Sequence, residues 1–235
     1  MIMTSVAIIP ARGGSKRIPR KNVKAFFGKP MIAWSIEAAL KSGCFERIIV
    51  STDDEEIAAV AREYGAETPF MRPADLSDDY TGTIPVIQHA VAWLASTGVP
   101  VSRVCCLYAT APFVSSDDLI RGQELLVGEG CSYAFSVTSY AFPIQRAIRI
   151  KDDGRIAMFS PEHFQTRSQD LEEAWHDAGQ FYWGTAEAWR EGRPIFSEDA
   201  VPVILPRHRV QDIDTPEDWD RAEWLFRAMR EQGAS

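Results

Sequence analysis

Long apolar runs and paired cysteines are both scarce in this sequence of 235 residues. No apolar run approaches the roughly 20 residues of a membrane span, and no basic segment precedes the short apolar run at the start, so we expect neither a membrane span nor a signal peptide. Cysteine occurs 4 times without the paired spacing of a metal site. We therefore expect buried free thiols and a cytoplasmic protein, with a redox or metallic role as the alternative.

An excess of positive charge is also missing. Lysine and arginine number 25 against 33 aspartates and glutamates, which gives a net charge of −8. Such a chain repels nucleic acid and anionic membranes as a whole, so we expect neither as a partner. Hydrophobic residues at 46% and charged residues at 25% are typical of a globular protein. The length is sufficient for one α/β domain over residues 1–235 with a substantial core.

Apolar periodicity alternates along the chain between strand-like and helix-like segments. "SVAIIP" is an all-apolar run typical of a buried strand, and "PMIAWSIEAALKSG" has helical spacing with Pro30 in its first turn and Gly43 at its end. "RIIVSTDDEEIAAVAREYG" predicts a strand and then a helix, with Asp53 and Glu56 at capping-box spacing and Gly65 closing it. Repetition of this order predicts a mostly parallel sheet with helices on both faces. Ligands of such sheets bind at the carboxyl ends of strands.

The alternation is interrupted between about residues 139 and 180. This stretch is polar and aromatic and contains Pro143 and Pro161. Within it, "RAIRIKDDGRIAMF" predicts a hairpin that turns at Asp153 and Gly154. We interpret the stretch as an insertion that acts as a lid or as a dimerisation arm.

A glycine-rich basic loop follows the first predicted strand. In "AIIPARGGSKRIPRKN" the basic residues are Arg12, Lys16, Arg17, Arg20 and Lys21. Gly13 and Gly14 are expected to allow close backbone approach and positive φ angles, so that successive N–H groups form an anion-binding nest. The spacing matches neither a Walker loop nor a dinucleotide fingerprint. The loop predicts a phosphate site, with Arg17, Arg20 and Lys24 expected to face solvent; a fully solvated basic loop is the alternative.

A pair of carboxylates precedes the last predicted helix. In "VQDIDTPED", Asp212 and Asp214 stand two positions apart, and an extended backbone would point both side chains the same way. Two hard oxygen ligands in this arrangement suit Mg²⁺ that shares its other ligands with phosphates. Acidic residues that merely cap a helix are the alternative, since Thr215 is the predicted N-cap and Pro216 the first helical residue.

Several of these segments together resemble a known family. "IIPARGGSKRIPRKN" is similar to the signature of the CMP-sialic acid synthetase family, and "RPADLSDDYTGT", "YATAPF" and "DIDTPEDW" follow in that family's order. The run "RSQDLEEAWHDAGQFYWG" is similar to the family's pseudaminic acid branch. The resemblance implies a Rossmann-like nucleotidyltransferase fold with a protruding dimerisation element. It also implies a homodimer.

The resemblance further implies roles for individual residues. Catalytic roles fall on Arg12, Lys21, Asp212 and Asp214, with Mg²⁺ on the two aspartates. The residues implied in CTP binding are Ala11, Arg12, Gly13, Gly14, Ser15, Lys21, Asn22, Arg72 and Thr83. A surface ion pair is the alternative role for Arg72.

The sugar is expected to lie against the insertion. The residues expected in sugar binding are Tyr108, Gln145, Arg146, Arg167, His176, Gln180 and Tyr182. For Gln145, Arg146, Arg167, Gln180 and Tyr182, local hydrogen bonding is the alternative. Sialic acid synthetases usually carry Gln in place of Tyr108 and an Arg-Pro-Asn-Gly run in place of residues 176–179. Because buried polar groups discriminate strongly between sugars, these departures favour pseudaminic acid. His176 is also a candidate general base.

The implied reaction transfers CMP from CTP to the C2 hydroxyl of a nine-carbon 2-keto sugar acid and releases pyrophosphate. Pseudaminic acid is the favoured sugar, and legionaminic and N-acetylneuraminic acids are the alternatives. Such chemistry depends on positioning and charge neutralisation rather than on a protein nucleophile. Two other classes remain open from the residues: a metal-dependent glycosyltransferase, which also uses Asp-x-Asp, and an inactive nucleotide-binding scaffold.

Overall fold

The computed structural model describes residues 4–231; the two ends of the predicted domain, 1–3 and 232–235, lie outside the described residues. A central sheet of six strands is assembled in the order β10-β6-β9-β5-β1-β4. These strands are β1 (Thr4–Pro10), β4 (Arg47–Ser51), β5 (Val101–Leu107), β6 (Tyr133–Ser139), β9 (Trp175–Thr185) and β10 (Ala200–Ile204). Two small two-stranded sheets complete the set, β2 (Ala25–Phe26) with β3 (Lys29–Pro30) and β7 (Ile148–Ile150) with β8 (Ile156–Met158).

The central sheet is mostly parallel, which confirms the expectation from the sequence. β1 pairs in parallel with β4 on one side and with β5 on the other, and β10 pairs in parallel with β6. Only β9, among the strands of this sheet, runs antiparallel to its neighbours β5 and β6. The chain leaves β1 toward β4 and later returns to the opposite side as β5. This reversal of strand order next to β1 is a topological switch point, where open α/β sheets bind ligands.

Helices cover both faces of the sheet. They are α1 (Met31–Ser42), α2 (Glu55–Glu63), α3 (Thr83–Ser96), α4 (Ser116–Glu129), α5 (Ala186–Glu191) and α6 (Pro216–Glu231). The all-apolar β1 explains the two layers, because its side chains alternate between faces. Ala7 and Ile9 belong to the core beneath α1, α2 and α4. Val6 and Ile8 belong to the core beneath α3 and α5.

Helix α6 closes a third, aromatic cluster at the edge of the domain. Trp219 and Phe226 of α6 pack against Phe26 of β2, with ring centroids 5.5 and 5.2 Å away. Met31 and Phe113 are buried in the same cluster. This packing fixes α6, and therefore the acidic turn before it, against the segment that follows the basic loop.

The helix caps differ in part from the expected ones. Asp54, not Asp53, caps α2, since its carboxylate accepts from the backbone N–H groups of Glu56 and Ile57 at 3.0 Å each. Pro30 is the residue before α1 rather than a member of its first turn, and Gly43 ends α1 in the left-handed conformation as expected. α6 begins at Pro216 as predicted. The Asp218 N–H donates to the predicted cap Thr215 at 3.2 Å.

Between β6 and β9 the chain leaves the sheet over residues 140–174, which we call the insertion. The predicted hairpin is present as β7 and β8, with Gly154 at a φ of 77° in its turn. β9 already starts at Trp175, so the last residues of the range expected for the insertion belong to the sheet.

Cysteines and helix lengths bear on two further expectations. All four cysteines are free thiols, of which Cys44 is half-buried and the other three are buried. Among the described residues, every helix is too short or too polar to cross a bilayer.

Candidate functional site

A cavity of about 250 Å³ opens at the carboxyl edge of the sheet, at the switch point beside β1. Its walls come from the loop after β1, the segment before α3, the residues after β5 and the turn before α6. Eight residues predicted from the sequence line it: Arg12, Ser15, Lys21, Asn22, Arg72, Thr83, Tyr108 and Asp214. Segments far apart in sequence thus converge on one polar cavity.

The cations of the basic loop are each paired with an acidic residue or a carbonyl group. Arg12 donates from Nη1 to Asp79 Oδ1 at 2.5 Å and to the Asp78 carbonyl at 2.8 Å. Lys16 also contacts the carboxylate of Asp79. Asp79 belongs to the loop before α3, whose residues 81–82 line the cavity, and its carboxylate marks where these two side chains hold an anion.

The opposite end of the loop pairs with the acidic turn. Lys21 is largely buried and donates from Nζ to the Ile213 carbonyl at 2.6 Å and to Asp214 Oδ1 at 3.2 Å. Arg17 Nη2 lies 2.8 Å from Asp214 Oδ2. Arg17 faces solvent as expected, with 65% of its side chain exposed, and it also lines the cavity. The loop and the acidic turn are therefore one electrostatic unit.

The two loop glycines do not adopt the expected conformation, since neither is among the residues with positive φ. Gly13 is needed for close approach: a Cβ placed there would lie 2.7 Å from Asp54 Oδ2. The Gly13 N–H donates to Asp53 Oδ1 at 2.9 Å instead of pointing to an empty nest. Gly14 has open space around its Cβ position. Gly13 thus packs the loop against the start of α2.

Ala11 and Asn22 hold the loop in shape. The Ala11 N–H donates to the Ser51 carbonyl at 3.0 Å, which extends the pairing of β1 with β4, and Ala11 is buried outside the cavity lining. Asn22 is buried and donates from Nδ2 to the Arg12 carbonyl at 3.0 Å. Asn22 therefore both lines the cavity and closes the loop upon itself.

Arg72 is the most unusual charge of the cavity. Only 4% of its side chain is exposed, and within residues 4–231 neither its Nε nor its Nη2 has a hydrogen-bond partner. Burial lowers the pKa of its guanidinium, Asp53 opposes that shift, and the nearby Arg12 adds to it. Asp53 Oδ1 lies 3.8 Å from Arg72 Nη2. A buried cation with free donors is costly unless a ligand supplies acceptors, so Arg72 is a strong candidate for ligand contact.

Tyr108 and Thr83 form a hydroxyl pair on the cavity wall, 3.0 Å apart. Burial is the main cause that raises the pKa of the Tyr108 phenol. Tyr182 packs behind Tyr108 with ring centroids 5.3 Å apart and donates to Asp177 Oδ2 at 2.5 Å. Burial also raises the pKa of Tyr182, so both phenols stay neutral and act as hydrogen-bonding groups.

The other residues expected to contact a sugar are not brought to this cavity. Tyr182 and Gln180 are buried within β9, and Gln180 donates to the Arg209 carbonyl at 2.5 Å while its Oε1 has no partner in the described part of the chain. His176 Nδ1 lies 2.8 Å from the Asp177 carbonyl oxygen, and its ring packs on Tyr140.

Three further members of that set lie in the insertion and bond within it. Gln145 donates to the Glu172 carbonyl at 3.0 Å, and Arg146 donates to the Thr166 carbonyl at 2.5 Å. Arg167 pairs with Asp170 at 2.6 Å. None of the three lines the cavity.

Asp212 and Asp214 are close in sequence and repel each other electrostatically. Desolvation is the largest cause that raises the pKa of Asp212, followed by repulsion from Asp214, while Lys21 acts in the opposite direction. Asp212 is exposed at the molecular surface, so solvent screens part of this repulsion. Two hard oxygen donors under mutual repulsion fit a divalent cation, which would relieve it. Within the described residues, no group of three or more acidic, histidine or cysteine side chains forms a complete metal cage.

Sequence reasoning did not identify several acidic residues that organise the cavity. Asp53 was interpreted only as a helix-capping residue, yet it contacts Gly13, and Oδ2 of the neighbouring Asp54 lies 2.5 Å from Arg20 Nη1. Asp79 and Asp218 also escaped notice. Two acidic residues directly after a strand, in a chain with a basic loop after the neighbouring strand, were the available signal for Asp53 and Asp54.

Comparison with known proteins shows that the chain is similar to cytidylyltransferases. A family model described as "Cytidylyltransferase" matches residues 6–139. The chain is 46% identical to a pseudaminic acid cytidylyltransferase of Campylobacter jejuni, over 97% of this chain and 99% of that one. It is 35% identical to a CMP-N,N'-diacetyllegionaminic acid synthase of Legionella pneumophila, over 97% and 99% of the two chains.

A solved structure supports the fold assignment. The structure of a CMP:2-keto-3-deoxy-manno-octonic acid synthetase complexed with CTP superposes with a TM-score of 0.68, covering 96% of this chain and 99% of that chain. Sequence identity to it is 17%, so the likeness shows a shared α/β nucleotidyltransferase architecture and no more.

Proposed function

The chain belongs to the cytidylyltransferase family, and on this premise we propose that it transfers CMP from CTP to the C2 hydroxyl of a nonulosonic acid, with release of pyrophosphate. One observation carries the proposal: the basic loop, the buried Arg72 and Asp214 line a single cavity. A triphosphate requires that convergence of cations, and a metal-bearing carboxylate next to them suits a nucleotide better than a neutral sugar.

In this proposal the loop binds the phosphates. Arg12 and Lys16 exchange the Asp79 carboxylate for phosphate oxygens, which offer the same charge and better geometry for a guanidinium. Lys21 lies against the acidic turn and neutralises negative charge that develops on the α-phosphate and the leaving pyrophosphate. Arg72, with its free donors, contacts the nucleotide in the same cavity, which Asn22 and Thr83 also line.

Asp212 and Asp214 would hold Mg²⁺ in this scheme, each with a carboxylate oxygen, and the ion would share its other ligands with phosphates. When bound, the ion neutralises phosphate oxygens and lowers the pKa of a coordinated hydroxyl. The protein's own part is to place the C2 hydroxyl of the sugar acid in line with the α-phosphorus, since positioning provides much of the acceleration in phosphoryl transfer.

Pseudaminic acid is the proposed sugar. The relative of that name has a higher identity to this chain than the legionaminic acid enzyme. Tyr108 places a neutral phenol on the cavity wall, where it can hydrogen-bond to a sugar substituent. The predicted contacts from Gln145, Arg146, Arg167, His176, Gln180 and Tyr182 stay predictions.

A homodimer formed through the insertion is part of the proposal. Half of the exposed large apolar side chains of the described chain lie in the insertion: Tyr140, Phe142, Ile144, Ile148, Ile150, Ile156, Phe159 and Phe164. An exposed apolar surface of this kind is typical of an interface. A second copy of the chain is the occupant that the family implies. We also propose that the enzyme works in the cytoplasm, where CTP is available.

The decisive experiment offers CTP and Mg²⁺ with pseudaminic, legionaminic, N-acetylneuraminic and 3-deoxy-octulosonic acids in parallel. Pyrophosphate release and the CMP-sugar are measured by phosphate detection and mass spectrometry. We expect the highest kcat/KM with pseudaminic acid. A preference for another acid would overturn the proposed sugar alone, whereas no product with any acid would overturn the reaction.

A further inference from the structure

Asp218 belongs to the first turn of α6 and is bound to the residue that caps this helix. Its N–H donates to Thr215 Oγ1 at 3.2 Å. In return, its Oδ2 accepts from the Thr215 N–H and from the Thr215 hydroxyl at 2.8 Å each. This reciprocal pattern is a capping box, which ordinarily serves only to satisfy the free N–H groups at a helix start.

The contacts of Asp218 extend beyond that box to the two carboxylate-bearing residues. Its Oδ2 also accepts from the backbone N–H of Asp214 at 3.2 Å. Its Oδ1 lies 3.4 Å from Gln211 Nε2, which at the same time donates to the Asp212 carbonyl at 2.7 Å. The main chain of both Asp212 and Asp214 is therefore tied to one side chain, directly in one case and through Gln211 in the other.

Helix α4 also has an aspartate bonded to its N-cap residue, but that carboxylate has different partners. In α4, Asp118 bonds Ser115, and its carboxylate then turns to Arg121 and Arg209 at 3.0 and 2.8 Å. The Asp118 carboxylate therefore pairs with two arginine side chains. Asp218 instead binds backbone N–H groups in the acidic turn, so its effect falls on the direction in which Asp214 points.

The Asp218 carboxylate forms no ion pair within residues 4–231, and its bonds go to N–H and hydroxyl groups of the acidic turn. Its own pKa is lowered, chiefly by the Thr215 hydroxyl, which keeps it ionised and accepting. Asp212, Asp214 and Asp218 do not form a three-ligand metal cluster within the described residues. We therefore interpret the role of Asp218 as fixing the backbone of the acidic turn.

We propose that Asp218 is a positioning residue that holds Asp212 and Asp214 in the orientation needed to bind a divalent cation. The inference rests on the proposed function, since it assigns the cation to that acidic turn. Residues that orient metal ligands typically change metal affinity by about 10- to 100-fold when removed. Asp218 touches neither the ion nor the substrate in this scheme.

The test compares three variants of the full chain with the wild type. Asp218→Ala removes every acceptor, whereas Asp218→Asn keeps one oxygen that can accept from Asp214 and Thr215. Thr185→Ala is the matched control, because Thr185 caps α5 with a 3.0 Å bond to the Ala188 N–H, far from the acidic turn. Metal binding is measured directly by electron paramagnetic resonance with Mn²⁺ in the presence of CTP, and turnover by pyrophosphate release against Mg²⁺ concentration.

We expect Asp218→Ala to raise the Mn²⁺ dissociation constant and the half-saturating Mg²⁺ concentration about tenfold or more, with Asp218→Asn within about threefold of wild type. Thr185→Ala should lower the thermal midpoint without moving either metal constant. An unchanged metal constant in Asp218→Ala, or an equal shift in Thr185→Ala, would overturn the inference.

One further variant keeps the test decisive. If Asp218→Ala does not fold, Gln211→Ala removes only the bridge to Asp212, and we expect a shift of a few fold in the Mn²⁺ constant; no shift would count against the proposal. The Mn²⁺ measurement does not depend on turnover. Failure of the proposed reaction would therefore appear as absent product in the wild type, separately from any change in metal affinity.

Discussion

The cavity and the insertion both carry polar side chains that the sequence suggested for ligand binding, but they satisfy those side chains in different ways. In the cavity, Arg12 bonds a residue 66 positions away and Lys21 one 193 positions away. In the insertion, Arg167 and Arg146 bond partners 3 and 20 positions away. The fold of one chain therefore assembles the cavity. In the insertion, most of these polar side chains bond locally and many apolar side chains are exposed, while Gln145 Oε1 has no partner within the described residues.

This difference indicates where each region obtains its function. In the proposed function, the cavity binds the nucleotide with cations and carboxylates held by distant elements of the same chain. The insertion, with local hydrogen bonds and an exposed apolar surface, fits the proposed contact with a second copy of the chain.

Removing one charge from the acidic turn should have the largest effect. Asp214→Asn takes away the partner of Lys21 and Arg17 and one proposed metal ligand. We expect kcat to fall by about 10² to 10³ while the protein stays folded, as for loss of one preorganised group. Steady-state pyrophosphate release and circular dichroism would check this, and near-normal kcat at limiting Mg²⁺ would exclude Asp214 from the site.

Arg72→Gln tests the contribution of the buried cation of the cavity to nucleotide binding. Because Arg72 has free, buried donors, we expect a rise in the KM for CTP of about 10- to 100-fold, in line with the loss of one charged hydrogen bond or two. The control is Arg47→Gln, which breaks a pair with Glu67 that lies outside the cavity. Equal KM values for the two variants would show that Arg72 does not contact the nucleotide.

The insertion should respond to changes in its apolar surface rather than in its polar groups. Phe142 is 82% exposed and Ile150 77% exposed, so replacing both by Ser costs the monomer no core packing. We expect the dimer dissociation constant to rise by about tenfold or more, because a few apolar anchors carry most interface energy. Sedimentation velocity measures it; Tyr80→Ser, at another exposed aromatic, is the control. An unchanged dimer dissociation constant would show that Phe142 and Ile150 do not contribute to the interface.

The two adjacent glycines of the loop provide a closer comparison. Gly13→Ala would place a methyl group against the Asp54 carboxylate and displace the loop, whereas Gly14→Ala meets open space. We expect the KM for CTP to rise by roughly severalfold to tenfold in Gly13→Ala and to change little in Gly14→Ala, since packed neighbours tolerate an added carbon poorly. The result would be contradicted if both variants bound CTP equally well.

The smallest effect concerns stability and pH. The pKa of Asp54 is lowered, first by its hydrogen bond to Arg20, so its ionised form stabilises the fold above its ordinary pKa of about 3.9. That contribution is lost as the pH falls through the lower value of the folded state. Asp54→Ala should therefore be less stable than wild type by about 1–2 kcal/mol at pH 7 and nearly equal to it at acid pH. Urea unfolding at both pH values measures it, and a pH-independent difference would disprove it.

Much of the fold and part of the cavity could be predicted from the sequence. The alternation of apolar periods located the strands and helices of the sheet, because a buried strand and an amphipathic helix differ in their repeat. The helix boundaries at Gly43 and Pro216 followed from local backbone preferences. Arg12, Lys21 and Asp214 were found because a basic loop and an acidic pair are local patterns.

Errors arose where neighbouring residues compete for the same role. Asp53 and Asp54 are adjacent acids with the same preference for a helix start, and only the position of Arg20 and Gly13 decides which of them caps α2. The expected positive φ of Gly13 was wrong for a related reason. A sequence does not distinguish a glycine required for close packing from a glycine required for a positive φ angle.

The order of elements, the charge of the loop and the spacing of Asp212 and Asp214 could be predicted from the sequence, since these depend on residues within a few positions of one another. Three other features depend on the tertiary structure: Asp79 faces Arg12, Arg72 is buried with free donors, and Tyr182 lies behind Tyr108. Strand order sets those distances, and a linear pattern of residues does not contain it.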